Sequence, residues 1–172
     1  MPYIMRKLFE ADSFAVSLAM PNPKKPVVSE WIQKIKNEVG EPKLEKYLIG
    51  HSLGVPAILR YLENMPVGSK IGGAFLVSGP CKKLDVQNPD SHFRLIDNFL
   101  EGPFNFAHIK KVCDRFYIIH GENDPHVPFS HAEFFGKELG APITKIYRGG
   151  HLGDKDIYEF PELLEIILQQ NK

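Results

Sequence analysis

Residues 45–64, EKYLIGHSLGVPAILRYLEN, decide how this chain is read. A short apolar run, Tyr47-Leu48-Ile49, meets Gly50-His51-Ser52-Leu53-Gly54, and an apolar-periodic segment comes directly after it. The junction has the form G-x-S-x-G, a serine between two glycines where a strand becomes a helix. In a nucleophile elbow the serine sits on such a turn, whose strain pushes the hydroxyl clear of the sheet. Side chains at Gly50 and Gly54 are then expected to collide with the crowded turn. The N–H of Leu53 is expected to face a developing oxyanion, helped by the positive end of the helix. A glycine-bounded turn with an N-capping serine fits the same five residues, so the choice between the two rests on residues further along the chain.

Serine is a poor nucleophile at neutral pH and needs a base, and the base needs a third group to orient it. Enzymes built on this elbow carry the three in the order Ser, acid, His. After the apolar run RFYII comes HGENDPHVP, which sets Asp124 in a loop at a strand's C-terminal end. After ITKIY comes RGGHLGD, which sets His151 in the loop after the last strand. Catalytic groups of open α/β sheets gather at those ends. Taken singly, Asp124 before Pro125 starts a turn and His151 is a loop histidine. Their joint occurrence in this order favours a Ser52–Asp124–His151 triad, with Glu122 as the competing acid.

Outward from the elbow, strand and helix patterns alternate. Residues 3–14 read as a helix, Ala15 to Met20 as a short strand stopped by Pro21-Asn22-Pro23, and Ser29 as the N-cap of a helix that Gly40 ends. Lys46 to Ile49 is a strand and Val55 to Glu63 a helix. Ile71 to Val77 and Phe116 to Ile119 are strands, 130–139 a helix, Pro142 to Tyr147 a strand, and Glu159 to Gln169 a helix. Such alternation implies an α/β fold, a mostly parallel sheet with helices on both faces. Strands buried on both faces are apolar throughout, as FLV at 75–77 and YII at 117–119 are.

The 172 residues suit one domain, 1–172, large enough for a sizeable core. Lys plus Arg (21) balance Asp plus Glu (21), which argues against nucleic acid or an anionic membrane as the main partner. No apolar run is long enough to span a membrane, the start lacks a signal-peptide core, and the two cysteines make no disulfide framework. A cytoplasmic protein is the expectation. His120, Asp124, His126 and His131 cluster in sequence, but their spacing fits no metal-ligand motif, and no metal is expected. His51 reads as packed beneath the elbow, Cys81 as a half-buried thiol near the site, and Cys113 as core. The connection from Gly79 to Arg115 carries Phe93, Leu95, Ile96, Phe99, Leu100, Phe104 and Phe106. Phe99, Phe104 and Phe106 are the candidate walls of a small, open acyl pocket.

Nearly the whole chain resembles the small single-domain serine hydrolases of the α/β-hydrolase superfamily that include the retinoblastoma-binding serine hydrolase and its YdeN-like relatives. The resemblance rests on AMPNP at 19–23 with Trp31, YLIGHSLGVPAILRYLE, FLVSGP, FNFAHIKKVCDRFYIIHGENDPHVP and GGH. It implies hydrolysis of small esters or amides without a cofactor. It also implies a further strand and an HG- or PG-type loop ahead of the first helix, lying between the strands read at 15–20 and 46–49 and supplying a second oxyanion donor. The 172 residues begin inside that helix. The expectations are therefore weak hydrolysis, and a sheet edge left without one neighbour. A hydrolase-fold binding protein with impaired catalysis is the second class that fits.

Overall fold

The computed structural model describes residues 2–85, 92–153 and 160–170, and the side chains of Pro2 and of 92–95, Phe93 and Leu95 among them, lie outside that description. Among the described residues the α-helices are α1 (Pro2–Glu10), α2 (Val28–Val39), α3 (Gly54–Glu63), α4 (Phe106–Val112), α5 (Ser130–Leu139) and α6 (Pro161–Gln169). Four strands are β1 (Tyr47–His51), β2 (Gly73–Val77), β3 (Phe116–Gly121) and β4 (Ile143–Ile146), and a 3-10 segment covers His92–Leu100. The strands are parallel and lie in sequence order, β1-β2-β3-β4.

Strand alternation divides the chain between two faces. Leu48, Ala74, Leu76 and Ile118 join a core with Trp31, Ile35, Leu59, Leu62, Ile109 and Phe135, which come from α2 to α5. Phe75, Val77 and Ile119 face the other way, onto Ile4 and Leu8 of α1 and Leu163 and Ile167 of α6. Three successive crossovers that advance in one direction, each right-handed, put α3, α4 and α5 on one face. The register pairs His51 with Val77, Val77 with Ile119, and Gly121 with Ile146, so the four C-terminal ends finish level.

Two expectations need correction. Ala15 to Met20 is not a strand. It runs from α1 toward α2 with Ala15 touching one core and Leu18 and Met20 the other. A strand exists through its hydrogen-bonded partners, and among the described residues β1 pairs only with β2. Trp31 Nε1 fastens the next turn by donating to the Pro21 carbonyl at 2.8 Å. Ser29 is not an N-cap either: α2 starts one residue earlier, behind an extended Val27, and has no side-chain cap. Gly40 does end it, at φ +59°. A further helix, α4, stands in the long connection, and its signal was the Asn105 side chain, which accepts the N–H of His108 at 3.0 Å. Glu159 lies outside the described residues, and the last helix begins at Pro161.

Phe99 is fully buried and meets Trp31 edge-on, its ring 5.2 Å away. Phe104 lies under the Arg60 guanidinium at 4.3 Å and touches Phe106 and Phe135. Arg60 is about 9 Å along α3 from its first residue, at 1.5 Å per residue. Phe106 opens α4, whose His108 reaches Met65, just beyond the C-terminal end of α3, at 2.9 Å. Phe99 and Phe104 are buried in the core on this face of the sheet, and Phe106 is half-buried against it.

Arg60 holds this region. It donates to the carbonyls of Phe99 at 3.0 Å, Glu101 at 2.7 Å and Gly102 at 3.0 Å, and it pairs with Glu63 at 2.7 Å. Glu63 in turn accepts the N–H of Asn105 at 3.0 Å. Arg60→Ala would leave a half-buried carboxylate and three carbonyls without their donor, an effect of about 3–5 kcal/mol. Thermal unfolding should show a Tm drop of roughly 6–20 °C for a chain of this size. The Glu63→Ala effect should be largely absorbed in the double variant, because the two side chains act together.

Candidate active site

Ser52 sits between β1 and α3 at φ +53°, left-handed backbone that a non-glycine residue adopts only under constraint. The constraint comes from the close return of the helix. A Cβ on Gly50 would stand 2.6 Å from the Gly54 carbonyl oxygen and 2.8 Å from Ile58. The crowding expected at Gly54 is absent, since a Cβ there would meet nothing within 4 Å. Ser52 N–H donates to the Val77 carbonyl at 2.9 Å, which ties the elbow to β2. Leu53 precedes the first helical residue, and among the described residues no backbone carbonyl accepts its N–H.

β3 and β4 deliver two further loops to the same edge. Asp124 Oδ2 accepts from His151 Nδ1 at 2.8 Å, and its Oδ1 accepts the N–H groups of His126 at 2.8 Å and Val127 at 2.9 Å. The Asp124 side chain is fully buried and that of His151 nearly so. Burial alone would raise the Asp124 carboxyl. The hydrogen bond from His151 and those from the two N–H groups outweigh it, and hold the carboxyl below its ordinary value. Because the carboxylate can only accept, Nδ1 of His151 carries the proton and Nε2 is left to act as base. Glu122 is exposed and reaches outward to Lys145 at 3.4 Å, so the geometry favours Asp124 over its competitor.

The two loops are packed on each other. A Cβ on Gly121 would lie 2.0 Å from the Gly150 carbonyl oxygen, and Asn123 Oδ1 accepts the Gly150 N–H at 3.0 Å. The rings of His51 and His126 flank His151, with centroids 4.8 Å and 5.3 Å away. His51 is half-buried beside the His151 ring. Among the described residues Ser52 Oγ makes no hydrogen bond to His151, a distance that commonly closes only when substrate binds.

Sequence reading passed over several neighbours. Ser78, at the end of β2, has φ +47° and a fully buried hydroxyl with no partner among the described residues. His131 Nδ1 accepts the Cys81 N–H at 2.9 Å, joining the loop after β2 to α5. Asn123 and His120 brace the acid loop. The only local hint was the density of histidines in HGENDPHVPFSH. His120, Asp124, His126 and His131 do not form a metal-binding group among the described residues. Burial pushes the Cys81 thiol up to about 11 and the Cys113 thiol up to about 12, so both stay protonated and neither offers a thiolate.

A family model described as serine hydrolase matches residues 5–169. The putative hydrolase YdeN of Bacillus subtilis (strain 168) is 29% identical over 167 residues, 96% of this chain and 85% of YdeN. The crystal structure of the B. subtilis ydeN gene product superimposes with a TM-score of 0.90, covering 99% of this chain and 89% of that one. The serine hydrolase RBBP9 of Rattus norvegicus is 26% identical over 148 residues, 86% of this chain and 73% of RBBP9. A meta-cleavage product hydrolase of Pseudomonas fluorescens shares only the fold, at 14% identity and a TM-score of 0.62, covering 92% of this chain and 76% of that one.

Burial pushes His131 down to about 4, with the charges of Lys82 and His120 adding to the effect. Unfolded, the same ring titrates near about 6.5. Between those values the unfolded chain binds the extra proton, so stability should fall as pH drops from about 6.5 toward 4, by at most about 3 kcal/mol. Buried His120 is shifted the same way and adds to the trend. His131→Asn keeps an acceptor near Nδ1 but cannot titrate. A plot of its melting temperature against pH should be flatter than the parent's, and parallel curves would assign the acid sensitivity to other groups.

Proposed function

The chain belongs to the serine hydrolase family, and on that footing we propose that it hydrolyses small esters or amides through Ser52, His151 and Asp124, by way of an acyl-enzyme. One observation carries the reading: a serine on strained backbone at φ +53° shares a sheet edge with a histidine bound to a buried carboxylate at 2.8 Å.

In the proposed cycle Ser52 Oγ attacks the substrate carbonyl carbon and passes its proton to His151 Nε2. Asp124 keeps the ring in the right tautomer and stabilises the imidazolium that forms. The oxyanion lies against the Leu53 N–H, aided by the positive end of α3. Collapse of the tetrahedral species breaks the bond to the alcohol or amine, which takes the proton from His151. Water then attacks the acyl-enzyme, giving its proton to His151, and the carboxylic acid leaves as Ser52 regains its hydrogen. No step calls for a cofactor.

A second reading is a hydrolase-fold binding protein with weak catalysis, in which the Leu53 N–H acts without a second oxyanion donor, a difference of about a hundredfold to a thousandfold in turnover. A fluorophosphonate probe distinguishes them, since it reports serine nucleophilicity without the natural substrate. The expected outcome is covalent labelling that Ser52→Ala abolishes, with esterase turnover falling about a thousandfold or more while the fold is kept. Asp124→Asn should be far more damaging than Glu122→Gln. Parental hydrolysis of a p-nitrophenyl ester by the alanine variant would remove Ser52 from the mechanism.

A further inference from the structure

His120 is the last residue but one of β3, fully buried, with its ring edge-on to Phe129 at 5.8 Å. Its Nε2 lies 2.8 Å from the Val127 carbonyl oxygen. A carbonyl can only accept, so Nε2 carries the hydrogen. Burial lowers the pKa of His120, and the ring is neutral where a histidine base would work.

Val127 is therefore gripped on both sides. Its carbonyl takes the N–H of His120, and its own N–H goes to Asp124 Oδ1 at 2.9 Å. The other carboxylate oxygen, Oδ2, takes His151 Nδ1 at 2.8 Å. One continuous set of contacts thus runs from the central sheet to the candidate base. The loop between Gly121 and Val127 contains no regular secondary structure. Asn123 ties it to the histidine loop, but Asn123 is exposed and its partner is another loop. His120 alone among these partners is anchored in the sheet. His120 Nε2 also lies 3.5 Å from Asp124 Oδ2, beyond good hydrogen-bonding distance but with its positive edge turned to the charge.

We propose that His120 is a positioning residue for the reaction assigned above: by holding the Val127 carbonyl it fixes the direction in which Asp124 presents its carboxylate to His151. The inference rests on the Ser52–His151–Asp124 reading, and its test separates the two. His120→Phe keeps a flat buried ring and loses the donor. His120→Asn keeps a polar amide that is too short to reach Val127. His120→Gln places an amide N–H near the position of Nε2.

In the Phe and Asn variants the esterase kcat and the fluorophosphonate labelling rate should fall by about tenfold to a hundredfold, the effect of misplacing a catalytic group by roughly an ångström. KM should stay within about twofold, because Val127 and Asp124 hold the base and not the substrate. Gln should restore most of the loss. The low-field proton resonance of the His151–Asp124 hydrogen bond should be present in the parent and the Gln variant, and displaced or lost with Phe and Asn. If Phe or Asn folds and keeps the parental rate and resonance, or if Gln rescues neither, His120 is only a packing residue and the proposal falls. Labelling that survives Ser52→Ala would instead sink the triad itself. The proton resonance needs no turnover, so it decides the positioning role even where hydrolysis is slow.

Discussion

The carbonyl oxygen of Gly54 lies 2.6 Å from where a Cβ on Gly50 would stand. That approach lets the chain turn from β1 into α3 within two residues, and it holds Ser52 on left-handed backbone. The start of α3 is fixed by a second close fit, since a Cβ on Gly79 would meet Val55 at 2.3 Å. With the helix start set, its direction across β1 and β2 is determined, and so is the packing of Leu59 and Leu62 against α2 and the sheet. Two positions without side chains therefore govern both the geometry of Ser52 and the course of α3, the most buried helix among the described residues.

The edge that holds the candidate site is costly to build. Ser52, Ser78 and Arg148 all have positive φ there, Ser78 buries a hydroxyl without a partner among the described residues, and His120, His131 and His151 are buried. Strain of this kind persists only where the surroundings over-determine it. Here the surroundings are the two apolar layers on either face of the sheet and the Arg60 network at the far end of α3. The division is spatial. Residues around α4 and the far end of α3 stabilise the fold, and the loops at the opposite edge carry the polar groups. Phe99, Phe104 and Phe106 belong to the first group, packed with Trp31, Arg60 and Phe135.

Two imidazoles at that edge are held toward the neutral form. Burial disfavours the charged form of His120 and His131, each of which uses one ring nitrogen in a defined bond to the main chain. Asp124 goes the other way, because three donors converge on it. The buried carboxylate directs its charge to His151, its partner at 2.8 Å.

The sequence by itself determined most of the elements and the candidate chemistry. The G-x-S-x-G junction, the apolar runs FLV and YII, and the loops carrying Asp124 and His151 were legible because turn chemistry and hydrophobic period are properties of near neighbours along the chain. The parallel sheet was implied by their alternation. What only the tertiary structure decided are matters of partnership between distant segments. Ala15 to Met20 has the apolar character of a strand, yet a strand requires a neighbour, and none lies beside it among the described residues. An aromatic residue reads the same whether it lines a pocket or fills a core, so the place of Phe99 waited on Trp31, far away in the chain. Gly54 looked as crowded as Gly50, and only the path of α3 shows that the space beside it is open. The bond between His131 and Cys81 spans fifty residues, and no local pattern encodes a contact that exists only once the loops after β2 and β3 are brought to one edge of the sheet.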